Sequence, residues 1–150
     1  YKRVKEHMGD KVPPDMLHQF KYTANNSTQA VFDYEKELER FGGLFDIVLA
    51  SSGEDGHIAS LFPNHDSVKH EKAGFFLLND APKPPPNRMS ASFNLIRQAR
   101  AGMILFFGSA KLGALHNFFD AGLSYKACPA KIIAELPHYY LLTDQEVETP

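Results

Sequence analysis

The sequence predicts a single α/β domain in which a mostly parallel sheet carries helices on both faces. Short apolar runs alternate along the chain with segments of helical periodicity, a pattern typical of parallel strands joined by right-handed crossovers. The predicted strands are residues 45–50, 75–78, 103–107 and 138–142. A chain of 150 residues suits one domain with a core of its own. No internal repeat or low-complexity segment divides it.

The amino-terminal elements are predicted to be two helices separated by a loop and a short strand. Residues 1–8 form the first helix, paired prolines make the loop, and residues 17–22 form the strand. A longer helix begins at Asn26 or Ser27, where a polar side chain can cap it, and ends at Gly42. Its apolar residues recur at helical spacing. They are Ala30, Val31, Tyr34, Leu38 and Phe41.

The rest of the chain alternates predicted strands with helices. Residues 81–87 contain four prolines and form a stiff connector, which is not a domain boundary because strands continue on both sides. The predicted helices are residues 94–100, residues 111–119 and a short one within 128–137. Thr143 and Asp144 open a tail after the last strand.

Composition and charge exclude several classes of function. The formal net charge is −2, and no basic cluster favours nucleic acid or an anionic membrane. No apolar run approaches the roughly 20 residues that span a bilayer. The one cysteine, Cys128, excludes an internal disulfide and suits a reducing compartment, so a cytoplasmic location is predicted. The spacing of His57, His65 and His70 matches no compact zinc pattern, so neither a metal nor an organic cofactor is expected.

The candidate site follows the first predicted strand. A turn of serine, glycine and acidic residues separates that strand from an apolar segment, residues 58–62, which is predicted to start a helix and is stopped by Pro63. Open α/β sheets bind ligands outside the carboxyl ends of their strands. Gly53 and Gly56 bracket the acidic residues and allow a tight path or close approach to a ligand.

His57 and Asp55 are the candidate catalytic residues of this turn. Imidazole titrates near neutral pH and can take or give a proton. Asp55 lies two residues earlier, close enough to fix the tautomer of the ring. The spacing alone leaves a second interpretation open, in which Asp55 caps a helix and His57 is solvated.

Residues 53–63, with the sequence Gly-Glu-Asp-Gly-His-Ile-Ala-Ser-Leu-Phe-Pro, resemble the signature of 6-phosphogluconolactonases, a family related to glucosamine-6-phosphate deaminase/isomerase. Weaker similarities follow in the family's order and extend the resemblance over nearly the whole chain. They are Arg88-Met-Ser, Gly108-Ser-Ala-Lys111 and Cys128-Pro-Ala. The resemblance implies a Rossmann-like, phosphosugar isomerase-like fold. It also implies that residues 1–150 are the carboxyl-terminal two-thirds of such a domain, since the family's amino-terminal phosphate loop is absent from them.

The resemblance implies hydrolysis of 6-phospho-D-glucono-1,5-lactone to 6-phosphogluconate in the oxidative pentose phosphate pathway. His57 would be the general base, oriented by Asp55. Lys111 and Arg88 would bind the phosphate, with Gly53 in the substrate-binding turn. The residues alone favour a solvated helix lysine for Lys111. For Arg88 they leave open a surface ion pair that contributes little. The expected partner is a phosphosugar lactone, and the resemblance also allows fusion to, or association with, glucose-6-phosphate dehydrogenase.

Two other functions stay open. One is a sugar-phosphate isomerase/deaminase on the same scaffold. In that relative a glutamate five residues after the histidine orients the ring, whereas Phe62 stands there in this chain, which counts against it. The other is a catalytically impaired sugar-phosphate-binding domain. Ser51, at a position where the family has glycine, favours this alternative, whereas the intact His57, Asp55 and Lys111 count against it.

Overall fold

The computed structural model describes residues 2–9, 11–22 and 26–146. Its strands are β1 (Ile47–Ser51), β2 (Phe75–Leu78), β3 (Arg88–Ala91), β4 (Ala101–Phe106) and β5 (His138–Thr143). Its α-helices are α1 (Lys2–Met8), α2 (Ser27–Glu39), α3 (Phe93–Ile96) and α4 (Leu112–Phe119). Segments of 3-10 helix lie at Pro14–Met16, Asp66–Lys69, Ser109–Lys111 and Pro129–Glu135. Within these described ranges, no helix is long and apolar enough to cross a bilayer.

A three-stranded parallel sheet forms the centre, in the order β1–β4–β5. The register places Ile104 of β4 between Ala50 of β1 and Leu141 of β5. The predicted α/β class with a parallel sheet and flanking helices is therefore confirmed. Because all three strands run in the same direction, their carboxyl ends meet at one edge of the sheet, and the residues after β1 and after β4 are neighbours there.

One face of this sheet packs on the hydrophobic core. Ile104 and Phe106 are fully buried on that face, against α4 and the 3-10 segment Pro129–Glu135. Gly102 lets that segment approach closely, since a Cβ atom there would lie 2.6 Å from Leu136 Cδ1 and 2.8 Å from Ile133 Cγ2. The core therefore holds the sheet and the 3-10 segment in a fixed relation.

The opposite face of the sheet carries apolar side chains that are exposed among the described residues. Ile47 and Leu49 of β1 are each 65% exposed, and Tyr140 and Leu142 of β5 are exposed as well. In the described part of the chain, the strand predicted at residues 45–50 is therefore covered on one side only. The alternating burial of β1 reflects packing on one side only.

β2 and β3 form a separate two-stranded antiparallel sheet. The prediction that residues 75–78 belong to the parallel sheet is wrong, and β3 was not predicted as a strand. The physical reason is the short connection between them, formed mainly by residues 81–87, which we call the proline loop. It turns the chain back, whereas a parallel partner would need a crossover of a dozen or more residues. Helix α2 packs on this sheet, with the Tyr34 and Phe75 ring centroids 4.9 Å apart.

The apolar segment after the candidate turn is not a helix. It contains an isolated bridge between Ile58 and Leu61, and two of its backbone donors bond to side chains. The Ser60 N–H donates to Ser90 Oγ at 3.1 Å, and the Phe62 N–H donates to Ser67 Oγ at 3.0 Å. These bonds satisfy buried amides without a helical ladder, which is why the predicted helix is wrong.

The remaining elements differ less from the predictions. Residues 17–22 form no strand in the described structure. Helix α3 begins one residue before the predicted start, because Ser92 Oγ accepts the Leu95 N–H at 3.2 Å and caps it. The helix predicted within 128–137 is 3-10 in form. The predicted helices at the start of the chain, after Asn26 and in residues 111–119 are confirmed within a few residues, although Tyr1 lies outside the described residues.

Candidate active site

The turn after β1 is a closed loop that folds back on itself. The Ser52 N–H donates to the Leu105 carbonyl at 3.0 Å, which extends the β1–β4 pairing past the end of the strand. The Gly53 N–H then donates to the His57 carbonyl at 2.7 Å. Gly56 has a φ of +87°, a conformation that favours glycine. The loop therefore presents His57 at the carboxyl edge of the sheet.

His57 and Asp55 form a hydrogen-bonded pair within this turn. His57 Nδ1 lies 2.6 Å from Asp55 Oδ1, and the His57 backbone N–H lies 3.4 Å from the same oxygen. An ionised carboxylate accepts hydrogen bonds and donates none, so the pair places the ring proton on Nδ1. The lone pair of Nε2 is then free to accept a proton, as in the histidine of a catalytic triad.

Lys83 joins this pair from the proline loop, and no motif in the sequence singled it out. Its Nζ lies 3.2 Å from Asp55 Oδ1, the same oxygen that contacts His57. Partial burial raises the pKa of Asp55, but the hydrogen bonds from His57 and Lys83 outweigh that cost and lower the pKa to about 2. Asp55 is therefore ionised at neutral pH. The sequence does contain a signal for Lys83, which is its position inside a stiff loop. Such a loop can orient the Lys83 side chain as well as that of Arg88.

Gly53 lies directly against the pair. A Cβ atom at this position would overlap Nδ1 and Cε1 of His57 and would lie 2.7 Å from Asp55 Oδ1. The φ of Gly53 is not in the left-handed region, so close approach rather than backbone conformation requires glycine here. The neighbour of Gly53 in the structure is thus the His57 ring, whereas its predicted contact with substrate stays a prediction.

Cys128 anchors the other glycine of the turn. A Cβ atom on Gly56 would lie 2.9 Å from Cys128 Sγ, and the Ala130 N–H donates to the Gly56 carbonyl at 2.9 Å. Cys128 is fully buried, and this burial raises the pKa of its thiol. A buried, protonated thiol is a poor nucleophile, so Cys128 acts here as packing for the turn.

Lys111 follows β4 in the chain, and its side chain extends to the turn after β1. Gly108, with a φ of +90°, turns the chain into the 3-10 segment that precedes α4, and Lys111 occupies the N-cap position of that helix. Its Nζ donates to the Ser52 carbonyl. Lys111 and His57 thus line one open cleft of about 480 Å³. The other residues that line it are Ser51, Ser52, Gly53, Glu54 and Lys83.

Arg88 does not line this cleft in the described structure. Its guanidinium donates to the carbonyls of Lys83, Pro84 and Pro85, at 2.8, 2.9 and 3.0 Å. The Arg88 Cζ atom also lies 5.4 Å from the centroid of the Phe62 ring. The predicted phosphate contact of Arg88 stays a prediction, and the contacts that the structure gives it are with the proline loop.

In the described ranges, no group of three or more histidine, cysteine, aspartate or glutamate side chains could hold a metal ion. The groups that the site brings together are the imidazole of His57, the carboxylates of Asp55 and Glu54, and the ammonium groups of Lys83 and Lys111. Such a set can move a proton at Nε2 and attract an anion. The fold and the site together define an α/β protein with a hydrogen-bonded histidine–aspartate pair at the carboxyl edge of a parallel sheet.

Comparison with known proteins places the chain within one family. Residues 1–140 match the family described as glucosamine-6-phosphate isomerases/6-phosphogluconolactonase, and the chain belongs to that family. A 6-phosphogluconolactonase of Borreliella burgdorferi is 35% identical over 128 residues, which cover 85% of this chain and 54% of that protein. The chain thus spans about half the length of this curated relative.

Solved structures of low sequence identity share the fold. The 6-phosphogluconolactonase of Thermotoga maritima matches with a TM-score of 0.76 and 18% identity, over 95% of this chain and 64% of that one. A monomeric glucosamine-6-phosphate deaminase matches with a TM-score of 0.70 and 17% identity, over 91% of this chain and 63% of that one. Because both activities occur on this fold, the choice between them depends on the residues of the site.

Proposed function

We propose that the protein hydrolyses 6-phospho-D-glucono-1,5-lactone to 6-phosphogluconate. The observation that carries the proposal is the His57–Asp55 pair, in which His57 lines a cleft together with Lys83 and Lys111. A lactone hydrolase needs a base for water and a cationic site for the phosphate. The relative in Borreliella burgdorferi carries the same activity in its name.

His57 would act twice in the reaction. Its Nε2 takes a proton from water while the water oxygen bonds to the lactone carbonyl carbon. As the tetrahedral intermediate collapses, the bond from that carbon to the ring oxygen breaks, and the imidazolium returns the proton to the ring oxygen. Ionised Asp55 stabilises the imidazolium between these two steps.

The turn also offers backbone N–H groups to the oxyanion. Those of Ser52, Gly53 and Gly56 already donate within the protein. This leaves the N–H groups of Glu54 and Asp55, at the centre of the turn, to stabilise the negative charge on the former carbonyl oxygen.

Phe62 supports a hydrolase over the isomerase alternative. The ring of this residue is buried, and its centroid lies 4.9 Å from that of the His57 ring. An apolar ring therefore occupies the position from which a glutamate would orient the histidine. Ser51, which favoured an impaired binding domain, lines the cleft but leaves the His57–Asp55 pair intact.

The direct test is to measure lactone disappearance and 6-phosphogluconate formation by the native protein, corrected for spontaneous hydrolysis. We expect hydrolysis that persists in the presence of a chelator. Formation of fructose 6-phosphate and ammonia from glucosamine 6-phosphate, without lactone hydrolysis, would contradict the proposal. Activity that the chelator abolishes and zinc restores would contradict the expectation of a reaction without metal.

Lys111→Ala is expected to raise KM for the lactone by roughly ten- to hundredfold. A charge-assisted hydrogen bond to a phosphate is worth about 1.5–3 kcal/mol, and most of that is lost from substrate binding when the ammonium is removed. Steady-state kinetics measure the change. Lys69→Ala is the matched control, because Lys69 is exposed and pairs with Asp66 at the surface. An unchanged KM with only kcat reduced would mean that Lys111 does not bind the phosphate.

Three further expectations belong to this proposal. We infer a cytoplasmic location, which the single cysteine supports. We also keep as predictions that residues 1–150 are the carboxyl-terminal two-thirds of a 6-phosphogluconolactonase-like domain, and that the protein is fused to or associates with glucose-6-phosphate dehydrogenase. Sequencing the complete reading frame tests the domain assignment and the fusion, and co-purification with glucose-6-phosphate dehydrogenase tests the association.

A further inference from the structure

We infer that Lys83 is a positioning residue that sets the proton affinity of the His57–Asp55 pair, and that Arg88 holds Lys83 in place. The inference rests on the proposed function, in which His57 is the base. It gives a role to Lys83 in the proline loop and to Arg88, the first residue of β3. One was not singled out by its sequence, and the other lies away from the cleft lining.

The first observation is that Lys83 and His57 share one oxygen atom. Asp55 Oδ1 is 2.6 Å from His57 Nδ1 and 3.2 Å from Lys83 Nζ. Apart from His57, Lys83 is the cation that contacts Asp55 among the described residues. A carboxylate oxygen that is shared in this way stabilises an imidazolium less than an unshared one, because part of its charge is balanced by the ammonium.

The second observation is that Lys83 has a fixed support. Arg88 donates to the carbonyl of Lys83 and to those of the two prolines that follow it. The loop is closed further by the Ala81 N–H, which donates to the Pro86 carbonyl at 3.1 Å. Three hydrogen bonds from one planar guanidinium restrict the loop in a way that a lysine cannot reproduce.

The consequence concerns the charge that the His57 ring meets in Asp55. Because Lys83 balances part of the carboxylate charge, we expect the acid limb of kcat/KM to lie at lower pH with Lys83 than without it. The other charged groups that face the cleft are Glu54 and Lys111, and their charges oppose each other. The Phe62 ring contacts both His57 and His65, with ring centroids 4.9 and 5.9 Å away, and His65 Nε2 lies 3.6 Å from Asp80 Oδ2.

The test compares Lys83→Met, Lys83→Arg and Arg88→Lys with the unaltered protein. Two quantities are measured: the pH dependence of kcat/KM, and the titration of the Asp55 carboxyl carbon by NMR. In Lys83→Met we expect the midpoint of the acid limb to move up by about half a pH unit to one unit, because the shared oxygen loses the ammonium charge that lies 3.2 Å from it. We expect the pKa of Asp55 to rise above its value of about 2, because one hydrogen bond to the carboxylate is lost.

The variants separate charge from structure. Lys83→Arg keeps a cation, so the midpoint of the acid limb should stay close to that of the unaltered protein. Arg88→Lys should move the midpoint in the same direction as Lys83→Met. Lys69→Met, at a surface ion pair, should leave both titrations unchanged. An acid limb and an Asp55 titration that stay in place in Lys83→Met would overturn the inference. If the Asp55 titration moves in a protein without lactonase activity, the proposed function fails while the contact of Lys83 with the pair stands.

Discussion

Replacing His57 with alanine is expected to lower kcat by about 10²–10⁴-fold, the usual contribution of general acid–base catalysis. Binding of substrate should change little, because the cationic groups of the cleft are unaffected. His57 is 19% exposed and makes its side-chain hydrogen bond to Asp55, so the variant should fold. Steady-state kinetics measure kcat, and the binding of the product 6-phosphogluconate, measured by calorimetry, reports on the cleft.

The pH dependence gives a second measure of the same role. In the unaltered protein kcat/KM should rise with pH as the imidazole loses its proton, and this limb should vanish in His57→Ala. Asp55→Asn should also lower kcat, since the imidazolium loses its carboxylate partner. His116→Ala is the matched control, because His116 lies on the exposed side of α4. If His57→Ala keeps more than about a tenth of the original kcat, His57 is not the base.

Gly53→Ala is expected to lower kcat by about 10²-fold without unfolding the protein. The added methyl group would overlap the imidazole of His57, so the ring must turn away from Asp55 towards the cleft. A displacement of about 1 Å in a catalytic group can cost about 10²-fold in rate. The backbone conformation of Gly53 suits alanine, so the collision is the main source of the effect. Kinetics and a thermal unfolding curve distinguish a displaced ring from a lost fold.

Gly113→Ala is the matched control for this substitution. Gly113 lies in α4, and a Cβ atom there would meet no other atom within 4 Å. Alanine in a helix should stabilise the protein by about 0.4–1 kcal/mol and leave kcat unchanged. In the double variant Gly53→Ala/His57→Ala the methyl group has no ring to displace, so it should lower kcat no further than His57→Ala alone. A Gly53→Ala variant with the original kcat would show that the His57 ring position is unimportant.

Local features of the sequence predicted the edge of the sheet where the candidate site lies. The apolar runs near residues 47, 101 and 138 became the parallel strands, since buried strands leave short, sharply bounded apolar segments. His57 and Asp55 are two residues apart, so their contact is a property of one turn. Lys111 follows the neighbouring strand, and parallel pairing brings it to the same edge.

Other parts of the site depend on segments that are distant in the sequence. Ser90 and Ser67 accept the backbone donors of residues 60 and 62, so an apolar stretch with the appearance of a helix start is an irregular turn. The partner of β2 is set by the proline loop rather than by the apolar character of β2. Neither outcome is encoded in the local periodicity of the segment concerned.

The sequence by itself determined the α/β class, the turn with its histidine and carboxylate, and the lysine after the neighbouring strand, because each depends on residues within one short segment or on parallel pairing. Only the tertiary structure decided that Lys83 contacts Asp55 and that Arg88 binds the proline loop. It also decided that the His57 ring fills the space where a side chain at position 53 would lie. The physical reason is that hydrogen bonds and close packing act over a few ångströms. The contact of Lys83 joins residues that are 28 positions apart in the chain (83 − 55), and only the folded path of the backbone brings them together.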